Sequence, residues 1–277
     1  MMKIEVTNKY ANLEAELQID CEKCSGLCCV ALYYTKTDGF PENKQAGVPC
    51  KHVMTDFRCD IHALLKTKKM KGCLAYDCIG AGQKVTQSCY LNENWKTNPD
   101  KADEIFRVFM KVFQLHQIAW YLLEGLSLVS DDRTKAEIDA LIAENIQMTA
   151  TTATEILVMD IASYKMRANK ALKKVSDQVV TDSSDGTAHK DYFGKNFKRA
   201  NLDGRDFSMA LMIAANLSGC SLKKTNFLGA DMRDANIKDT DLSGCIFLTQ
   251  MQINAAQGNS KTKLPTNLSR PSSWQGE

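Results

Sequence analysis

The sequence has no run approaching the ~20 consecutive apolar residues that a helix needs to cross a bilayer. Residues 1–6 contain neither the apolar core nor the small-residue cleavage site of a secretory signal. The formal net charge of the 277 residues is only +2, so no strong global charge draws the chain to nucleic acid or to an anionic membrane. These absences predict a cytoplasmic protein that binds neither membranes nor nucleic acid.

Patterns typical of catalysis are also missing. No Ser-His-Asp arrangement and no paired acids at helical spacing point to hydrolysis, although residues distant in sequence can converge in a fold. Gly80-Ala81-Gly82-Gln83 has neither the completing glycine nor the strand–helix context of a phosphate-binding loop. The sequence therefore favours a protein that is not an enzyme.

Cysteine, by contrast, is abundant and clustered. Eight of the eleven cysteines lie between residues 21 and 78, namely Cys21, Cys24, Cys28, Cys29, Cys50, Cys59, Cys73 and Cys78. Packing alone does not account for this density, because a buried cysteine fills space no better than alanine or valine. A disulfide framework and a thiolate cage for metal are the two interpretations. The predicted cytoplasmic location, where thiols stay reduced, favours metal.

The spacing of the first four cysteines points to metal ligation. A Cys-x-x-Cys turn aims two thiolates at one ion, as in zinc ribbons and iron–sulfur sites. Eight thiols suffice for two closed zinc sites, or for one [4Fe–4S] cluster with four cysteines to spare. His52 and His62 could each replace a thiolate in either site. Residues 21–80 resemble the putative zinc- or iron-chelating cysteine-cluster domains of bacteria. We rank zinc first and an iron–sulfur cluster second, and we interpret Cys89 as a lone packed thiol.

Composition divides the chain into successive domains. Residues 1–97 show no lasting periodicity and predict an irregular cysteine-rich domain that needs metal–thiolate bonds as staples. Residues 98–176 predict a helical domain of three helices. The first, about 100–128, starts at Asn98-Pro99-Asp100; the second is capped by Ser130-Asp131-Asp132; the third follows the threonines at 149–154. His116, on the apolar stripe of the first helix, is interpreted as a core histidine with one hydrogen bond.

The polar residues 177–189 predict a linker, after which the period of the sequence changes to five. Every fifth residue from 192 to 247 is Tyr, Phe, Leu, Met or Ile, and the residue before it is mostly Asn or Asp. Residues 190–255 thereby resemble the pentapeptide-repeat proteins. The resemblance implies a right-handed quadrilateral β-helix with four pentapeptides per coil.

Stacking at a twenty-residue interval predicts two ladders, one of Phe207, Phe227 and Phe247 and the other of Leu202, Leu222 and Leu242. Cys220 and Cys245 occupy positions for small core residues, which excludes them from the metal site. Residues 256–277 are expected to cap the open edge of the last coil.

These features predict a metal-binding interaction protein whose short solenoid binds an unknown protein partner. The alternative is an iron–sulfur or metal-dependent redox or modifying enzyme. A third hypothesis comes from the resemblance, because some pentapeptide-repeat proteins mimic DNA and protect gyrase. Such mimicry needs a strongly acidic rod, whereas residues 190–254 carry nine Lys and Arg against seven Asp, which makes it the weakest of the three.

Overall fold

A computed structural model describes residues 9–181 and 190–274 of the chain. Two compact units are present. The first consists of the described residues up to Gly72 together with Asp77–Leu172, and the second of Cys73–Tyr76 and the described residues from Lys173 onwards. Residues 182–189 of the predicted linker lie outside the described residues, whereas residues 177–179 are helical. Within the described ranges, no helix is both long and apolar enough to span a membrane.

Nine α-helices occur in the described residues. They are α1 (Ala11–Glu16), α2 (Leu27–Ala31), α3 (Lys71–Ala75), α4 (Ala81–Lys84), α5 (Ala102–Leu128), α6 (Asp132–Thr149), α7 (Ala153–Val158), α8 (Ile161–Val179) and α9 (Gln250–Ala255). Short 3-10 turns cover Cys21–Lys23, Lys36–Asp38, His62–Leu64, Pro99–Lys101 and Ser272–Trp274, and a π turn covers Val85–Cys89.

Helix α5 supplies much of the core of the first unit and confirms the predicted helix at about 100–128. Its apolar stripe is buried along its length, at Ile105, Val108, Phe109, Val112, Leu115, Ala119 and Leu122. The side chain of Asn98 makes no capping hydrogen bond, and the 3-10 turn at Pro99–Lys101 leads into the helix instead. An apolar stripe of this length allows the helix to pack against its neighbours from end to end.

The prediction of three helices between residues 98 and 176 is wrong at the third helix, which is divided into α7 and α8. The break follows from Asp160, whose carboxylate accepts hydrogen bonds from the backbone N–H of Ser163 at 3.0 Å and from its hydroxyl at 2.6 Å. An aspartate bonded in this way starts a new helix. Asp131, in contrast, caps α6 as predicted by accepting the N–H of Thr134 at 2.8 Å.

A buried polar network joins the helices of the first unit. Asn145 of α6 donates to the carbonyl of Leu115 at 2.9 Å and to the hydroxyl of Tyr164 at 3.1 Å. The Tyr164 hydroxyl donates in turn to the carbonyl of Leu141 at 2.9 Å. Both side chains are fully buried, so these bonds replace hydrogen bonds that water makes in the unfolded chain.

The repeat region does not form the predicted quadrilateral β-helix, and that prediction is wrong. Among the described residues there is no extended strand or sheet, only isolated bridges between single residues. The physical reason is the turn in each pentapeptide. In every pentapeptide from Tyr192 to Ile237, the second residue after the central apolar residue has a left-handed backbone, as at Gly194, Arg199, Gly204 and Met209, so extended backbone cannot continue from one of these pentapeptides to the next.

The pentapeptides instead form a coil of turns with a twenty-residue interval. Parallel bridges join Asp191 to Leu211, Asn196 to Asn216, and so on to Asn226 and Ile246. The predicted ladders are confirmed as buried, since Phe207, Phe227, Phe247, Leu202, Leu222 and Leu242 are at most 3% exposed. The small positions from Ala210 to Cys245 are buried too, and the sulfur of Cys220 lies 2.9 Å from the carbonyl of Phe197.

A second set of hydrogen bonds fixes each turn from within the pentapeptide. The residue before the central apolar residue accepts, through its side-chain oxygen, the N–H two positions later. This bond occurs at Asp191, Asn196, Asn201, Asp206, Asn216, Asn226, Asp231, Asn236 and Asp241. It explains the preference for Asn and Asp in the sequence, because their short side chains reach the backbone two residues on.

Residues after the last pentapeptide continue the stack. Gln257 forms a parallel bridge with Asn236, and Lys263 forms one with Asp241. In α9, the side-chain amide of Gln252 donates to the carbonyl of Phe227 at 2.8 Å. Backbone groups of the last coil thereby find partners within the same chain.

Candidate functional site

The loop that carries the first four cysteines is shaped by its caps. Asp20 accepts the N–H of Glu22 at 3.1 Å and starts the 3-10 turn at Cys21–Lys23. Gly26 then adopts a left-handed φ of 69° and precedes α2, which presents Cys28 and Cys29. A Cβ on Gly26 would lie 2.8 Å from the carbonyl oxygen of Phe57, so the chain reverses here only with glycine.

Hydrogen bonds hold this loop against the segment of α4 and the π turn. The hydroxyl of Thr86 accepts the N–H of Ser25 at 3.0 Å, and the indole of Trp95 donates to the carbonyl of Ser25 at 2.7 Å. The amide oxygen of Gln83 accepts the N–H of Asp20 at 2.8 Å. The loop with Cys24 therefore lies directly against the stretch that follows Cys78.

Gly82 lies beside the thiols of Cys24 and Cys78, which approach each other at this point. A Cβ at Gly82 would stand 2.7 Å from the sulfur of Cys24 and 3.7 Å from the sulfur of Cys78. Gly82 has no left-handed backbone angle, so its missing side chain leaves room for sulfur and serves no conformational need. The result is a small cradle lined by two thiols from segments more than fifty residues apart in sequence.

Backbone and hydroxyl donors point at the same sulfurs. Burial raises the pKa of the Cys24 thiol, while hydrogen bonds from the N–H groups of Leu27 and Gly26 and from the hydroxyl of Thr86 oppose that rise. Burial likewise raises the pKa of Cys78 to about 12, against a hydrogen bond from the N–H of Gly82. The donors favour the thiolate, the form that binds metal, but burial outweighs them and the pKa of both thiols remains raised.

Three further thiols adjoin this pair. Burial, and then the nearby Cys24 and Cys29, raise the pKa of Cys21. Cys28 donates a hydrogen bond to Cys29. This bond and burial raise the pKa of Cys28 well above its usual range, while the same bond lowers the pKa of Cys29 against the effect of burial. Five thiols from residues 21–29 and 78 are thus close enough to affect one another's ionisation.

Lys44 supplies a positive charge beside this group. It is only 9% exposed, and its ammonium donates to the carbonyls of Val30, Leu32 and Gln45 at 3.0, 2.6 and 3.1 Å. Its charge helps to lower the pKa of Cys29, after the hydrogen bond from Cys28. A buried ammonium fixed by three carbonyls offsets part of the negative charge that clustered thiolates carry.

Cys50 and Cys59 form a second, smaller group on a hairpin. Val53 and Cys59 pair in an antiparallel bridge, and the N–H of Cys50 donates to the carbonyl of Cys29 at 2.9 Å. Burial raises the pKa of Cys59, with contributions from Cys29 and Cys50. The Nδ1 atom of nearby His52 lies 2.9 Å from a carboxylate oxygen of Asp60, the arrangement that commonly orients a metal-binding histidine.

The eight predicted ligands are thus not equivalent. Five come together at the cradle, Cys50 and Cys59 lie on the hairpin next to Cys29, and Cys73 belongs to the other unit. No three His, Cys, Asp or Glu side chains of residues 9–181 and 190–274 already stand as a metal-ligand group. All eleven cysteines lie in these ranges and none is in a disulfide. His62 is exposed.

His116 is confirmed as a core histidine with one hydrogen bond. It is fully buried, and its Nδ1 donates to the carbonyl of Ile79 at 2.6 Å. Its Nε2 lies 3.4 Å from a carboxylate oxygen of Glu16 without hydrogen-bond alignment. Lys84 donates to the other oxygen of that carboxylate at 2.9 Å, so these groups anchor α1 beside the loop that holds Cys78.

Two residues of the site were not identified from the sequence. In the sequence Gly82 stands out only as part of an incomplete phosphate-binding loop, and its role beside the sulfurs follows from tertiary contacts. Lys44 lies in an irregular segment with no periodicity, and no sequence signal identifies it as buried.

Comparison with known proteins places these features in a family. Residues 210–247 match the family of pentapeptide repeats, in eight copies. Over 280 residues the chain is 38% identical to the "Uncharacterized protein YybG" of Bacillus subtilis (strain 168), covering 99% of this chain and 100% of that protein. This chain is a pentapeptide-repeat protein of the same family as YybG. No solved structure matches the chain.

The family relationship extends beyond the repeats. The similarity to YybG spans nearly the full length of both proteins, so in this chain it includes the cysteine segment and the helices as well as the pentapeptides. The match to pentapeptide repeats covers the C-terminal part of the region whose bridges run from Asp191 to Ile246, so the structure extends the repeats on its N-terminal side.

Proposed function

We propose that this pentapeptide-repeat protein binds a metal ion, zinc in the first instance, at the Gly82 cradle and binds a protein partner through its coil of pentapeptides. The observation that carries the metal-binding proposal is the convergence of Cys24 and Cys78 on the space beside Gly82, with N–H donors aimed at both sulfurs.

The chain's donor set fits a thiophilic cation. Cys21, Cys24, Cys28, Cys29 and Cys78 provide more sulfur than the four ligands of a closed tetrahedral zinc site need. The described side chains are not yet a ligand group, so binding requires rotations of these thiols toward a common centre. A bound zinc would cross-link residues 21–29 to residue 78 and stabilise a segment that has little regular secondary structure.

The surrounding residues would perform defined tasks. The N–H groups of Leu27 and Gly82 orient the sulfurs of Cys24 and Cys78, and Lys44 offsets negative charge near Cys29. Each thiol that becomes a ligand loses its proton, so binding releases protons and weakens as the pH falls. On the hairpin, Cys50, Cys59 and His52 are the groups proposed to support a second ion.

The test is metal analysis of the full chain purified without oxygen, with an absorption spectrum. We expect about one or two equivalents of zinc and no visible band. Cys24→Ser and Cys78→Ser should each lose at least half of the metal, whereas Cys89→Ser, a matched change in the same unit, should keep all of it. Metal-free wild-type protein, or full occupancy in Cys24→Ser, would contradict the proposal.

The metal analysis could instead find iron, which would point to a different function. Iron with inorganic sulfide and a visible absorption band would assign an iron–sulfur cluster to these cysteines and replace the structural role by redox or modifying chemistry. The same cysteine variants would then lose the band, so the location and the identity of the metal are tested separately.

A further inference from the structure

Helix α2 carries two consecutive cysteines, Cys28 and Cys29, near both the Gly82 cradle and the hairpin. Consecutive side chains on an α-helix diverge by about 100°, so two neighbouring thiols can serve two different sites. The hydrogen bond that Cys28 donates to Cys29 is compatible with this, because a thiol that binds metal has lost its proton.

The surroundings of Cys28 belong to the cradle. Its hydrogen bond to Cys29 and burial raise its pKa most, and the nearby Cys29, Cys24 and Cys78 raise it further. Electrostatic effects of this kind fall off with distance, so Cys24 and Cys78 are close to its sulfur. Together with Cys21, these thiols give the cradle four ligands without Cys29, as many as a closed tetrahedral zinc site takes.

Backbone hydrogen bonds connect Cys29 to the segment that leads into the hairpin. The N–H of Cys50 donates to the carbonyl of Cys29 at 2.9 Å, and the N–H of Gly47 donates to the carbonyl of Val30 at 2.9 Å. The chain from Gly47 to Cys50 therefore runs beside α2 and brings Cys50 next to Cys29.

The hairpin itself also packs against the start of α2. The N–H of Val53 donates to the carbonyl of Cys50 at 3.0 Å, and Val53 pairs with Cys59. The Cγ2 atom of Val53 lies 3.4 Å from where a Cβ would stand on Gly26, the residue before α2. Burial raises the pKa of Cys59 most, and the nearby Cys29 and Cys50 raise it further. These three cysteines thus lie in one place.

Cys29 is within electrostatic reach of both groups, and the number of ligands decides between them. It also raises the pKa of Cys24, though less than burial does. The cradle has four thiols without it, whereas the hairpin offers only Cys50, Cys59 and the imidazole of His52. Since a closed zinc site takes four ligands, assigning Cys29 to the hairpin completes two sets. Assigning it to the cradle leaves one set of five and one of three.

We propose that the two neighbouring thiols of α2 serve two metal ions, Cys28 at the cradle and Cys29 at a second site. The ligands of the second site are Cys29, Cys50, Cys59 and His52. This proposal rests on the metal-binding function proposed above and assigns the ligands of each ion. His52 would bind through Nε2, because its Nδ1 lies 2.9 Å from a carboxylate oxygen of Asp60.

Binding at the second site requires movements like those at the cradle. In the part of the chain that the structure describes, no three such side chains already stand as a ligand group, so the thiols must turn toward a common centre. Lys44, fixed beside Cys29 by three carbonyls, would offset negative charge of the three thiolates.

The test counts the metal ions that the full chain binds, with cobalt(II) as the probe. Cobalt occupies tetrahedral thiolate sites and gives cobalt–thiolate charge-transfer absorption, which zinc lacks. Protein purified without oxygen and freed of metal by a chelator is titrated until this absorption stops rising. We expect the wild type to bind two ions. Each single variant, Cys24→Ser, Cys28→Ser, Cys29→Ser or Cys50→Ser, should bind one.

Pairs of changes show which ion each cysteine binds. Cys29→Ser with Cys50→Ser should still bind one ion, because both changes remove the same site, whereas Cys29→Ser with Cys24→Ser should bind none. Cys28→Ser is the matched control at the neighbouring residue, and its pattern should be reversed. It should bind one ion with Cys24→Ser and none with Cys50→Ser. The ion kept by each single variant also reports that the chain still folds around a site.

This proposal and the metal-binding function fail in different ways. A wild type that binds no cobalt would refute both. One ion in the wild type, lost in Cys24→Ser and kept in Cys29→Ser and Cys50→Ser, would leave the cradle and overturn the second site. Two ions in Cys29→Ser, or one ion in its combination with Cys24→Ser, would overturn the assignment of Cys29. Cys29→Ala provides the same test if Cys29→Ser is insoluble.

Discussion

Replacing Gly82 by alanine tests the cradle without removing any thiol. The new Cβ would lie 2.7 Å from the sulfur of Cys24, whereas ordinary contacts begin at 3.4 Å, so that sulfur must move by about 0.7 Å. Metal–ligand distances vary by only about 0.2 Å in well-formed sites. The displacement therefore takes Cys24 out of ligand range or forces the other ligands to follow.

The effect on the metal-free protein should be small. Gly82 lies in α4 without a left-handed angle, so alanine gains about 1 kcal/mol of helix propensity. Overpacking costs about 1–3 kcal/mol, but the side chain of Cys24 can rotate away from the new methyl group. These terms nearly cancel, and we expect the free energy of unfolding to change by about 1 kcal/mol or less when a chelator is present.

Zinc affinity should fall much more, by at least about tenfold, or about 1.4 kcal/mol. The assay is competition with a chelator of known affinity, paired with urea denaturation in the presence and absence of zinc. Gly244→Ala is the control, since its nearest neighbour would lie at 3.6 Å and its backbone is not left-handed. Wild-type affinity in Gly82→Ala would refute the cradle as the metal centre.

Three further changes test the surroundings. Tyr164→Phe removes the bond to the Leu141 carbonyl and should cost about 1–2 kcal/mol in urea denaturation. Lys44→Met leaves three carbonyls without their charged donor and should cost about 2–4 kcal/mol in the same assay. Burial alone would raise the pKa of Glu16, but the nearby His116 and the hydrogen bond from Lys84 lower it below its ordinary 4.5. Its stabilisation is thus present above that value and lost as the pH falls through the folded-state pKa, so Glu16→Gln should lose less stability than wild type between about pH 6 and pH 3.

The sequence predicts those parts of the fold that follow a period. The stripe of α5 from Ile105 to Leu122 and the twenty-residue ladder of Phe207, Phe227 and Phe247 are both buried as expected. Each relies on a repeated environment, so many positions give the same signal. Single residues without a repeated environment give no such signal, which is why the break at Asp160 was missed.

The error over the β-helix has a different origin. The period of five correctly predicts which residues stack, but a period does not reveal how many residues between stacks are extended. Left-handed turn residues such as Arg199 and Ala214 interrupt the pentapeptides from Tyr192 to Ile237, so bridges stay single. Side-chain burial and backbone class are separate properties, and here the sequence pattern determines only the first.

In the cysteine segment, the sequence predicts the kind of chemistry but not which residues come together. Its residue types predict the chemistry, yet nothing in their spacing separates Cys78, which meets Cys24 at the cradle, from Cys73, which belongs to the other unit. That distinction depends on Gly82 and on the hydrogen bonds around Ser25. Ligand assignment in an irregular segment therefore needs the tertiary contacts that hold the loop.

A repeat has the advantage that its exceptions can be interpreted. Asn or Asp recurs before the central residue because the backbone requires an acceptor there, so a departure needs a separate physical cause. For Ile246 that cause is burial, whereas Leu211 is 48% exposed in the part of the chain that the structure describes. The cysteine segment has no repeat with which a single residue can be compared, so its sequence does not reveal that Lys44 is buried. In the coil, therefore, a single substitution that restores the residue preferred by the repeat can measure what the departure costs in stability.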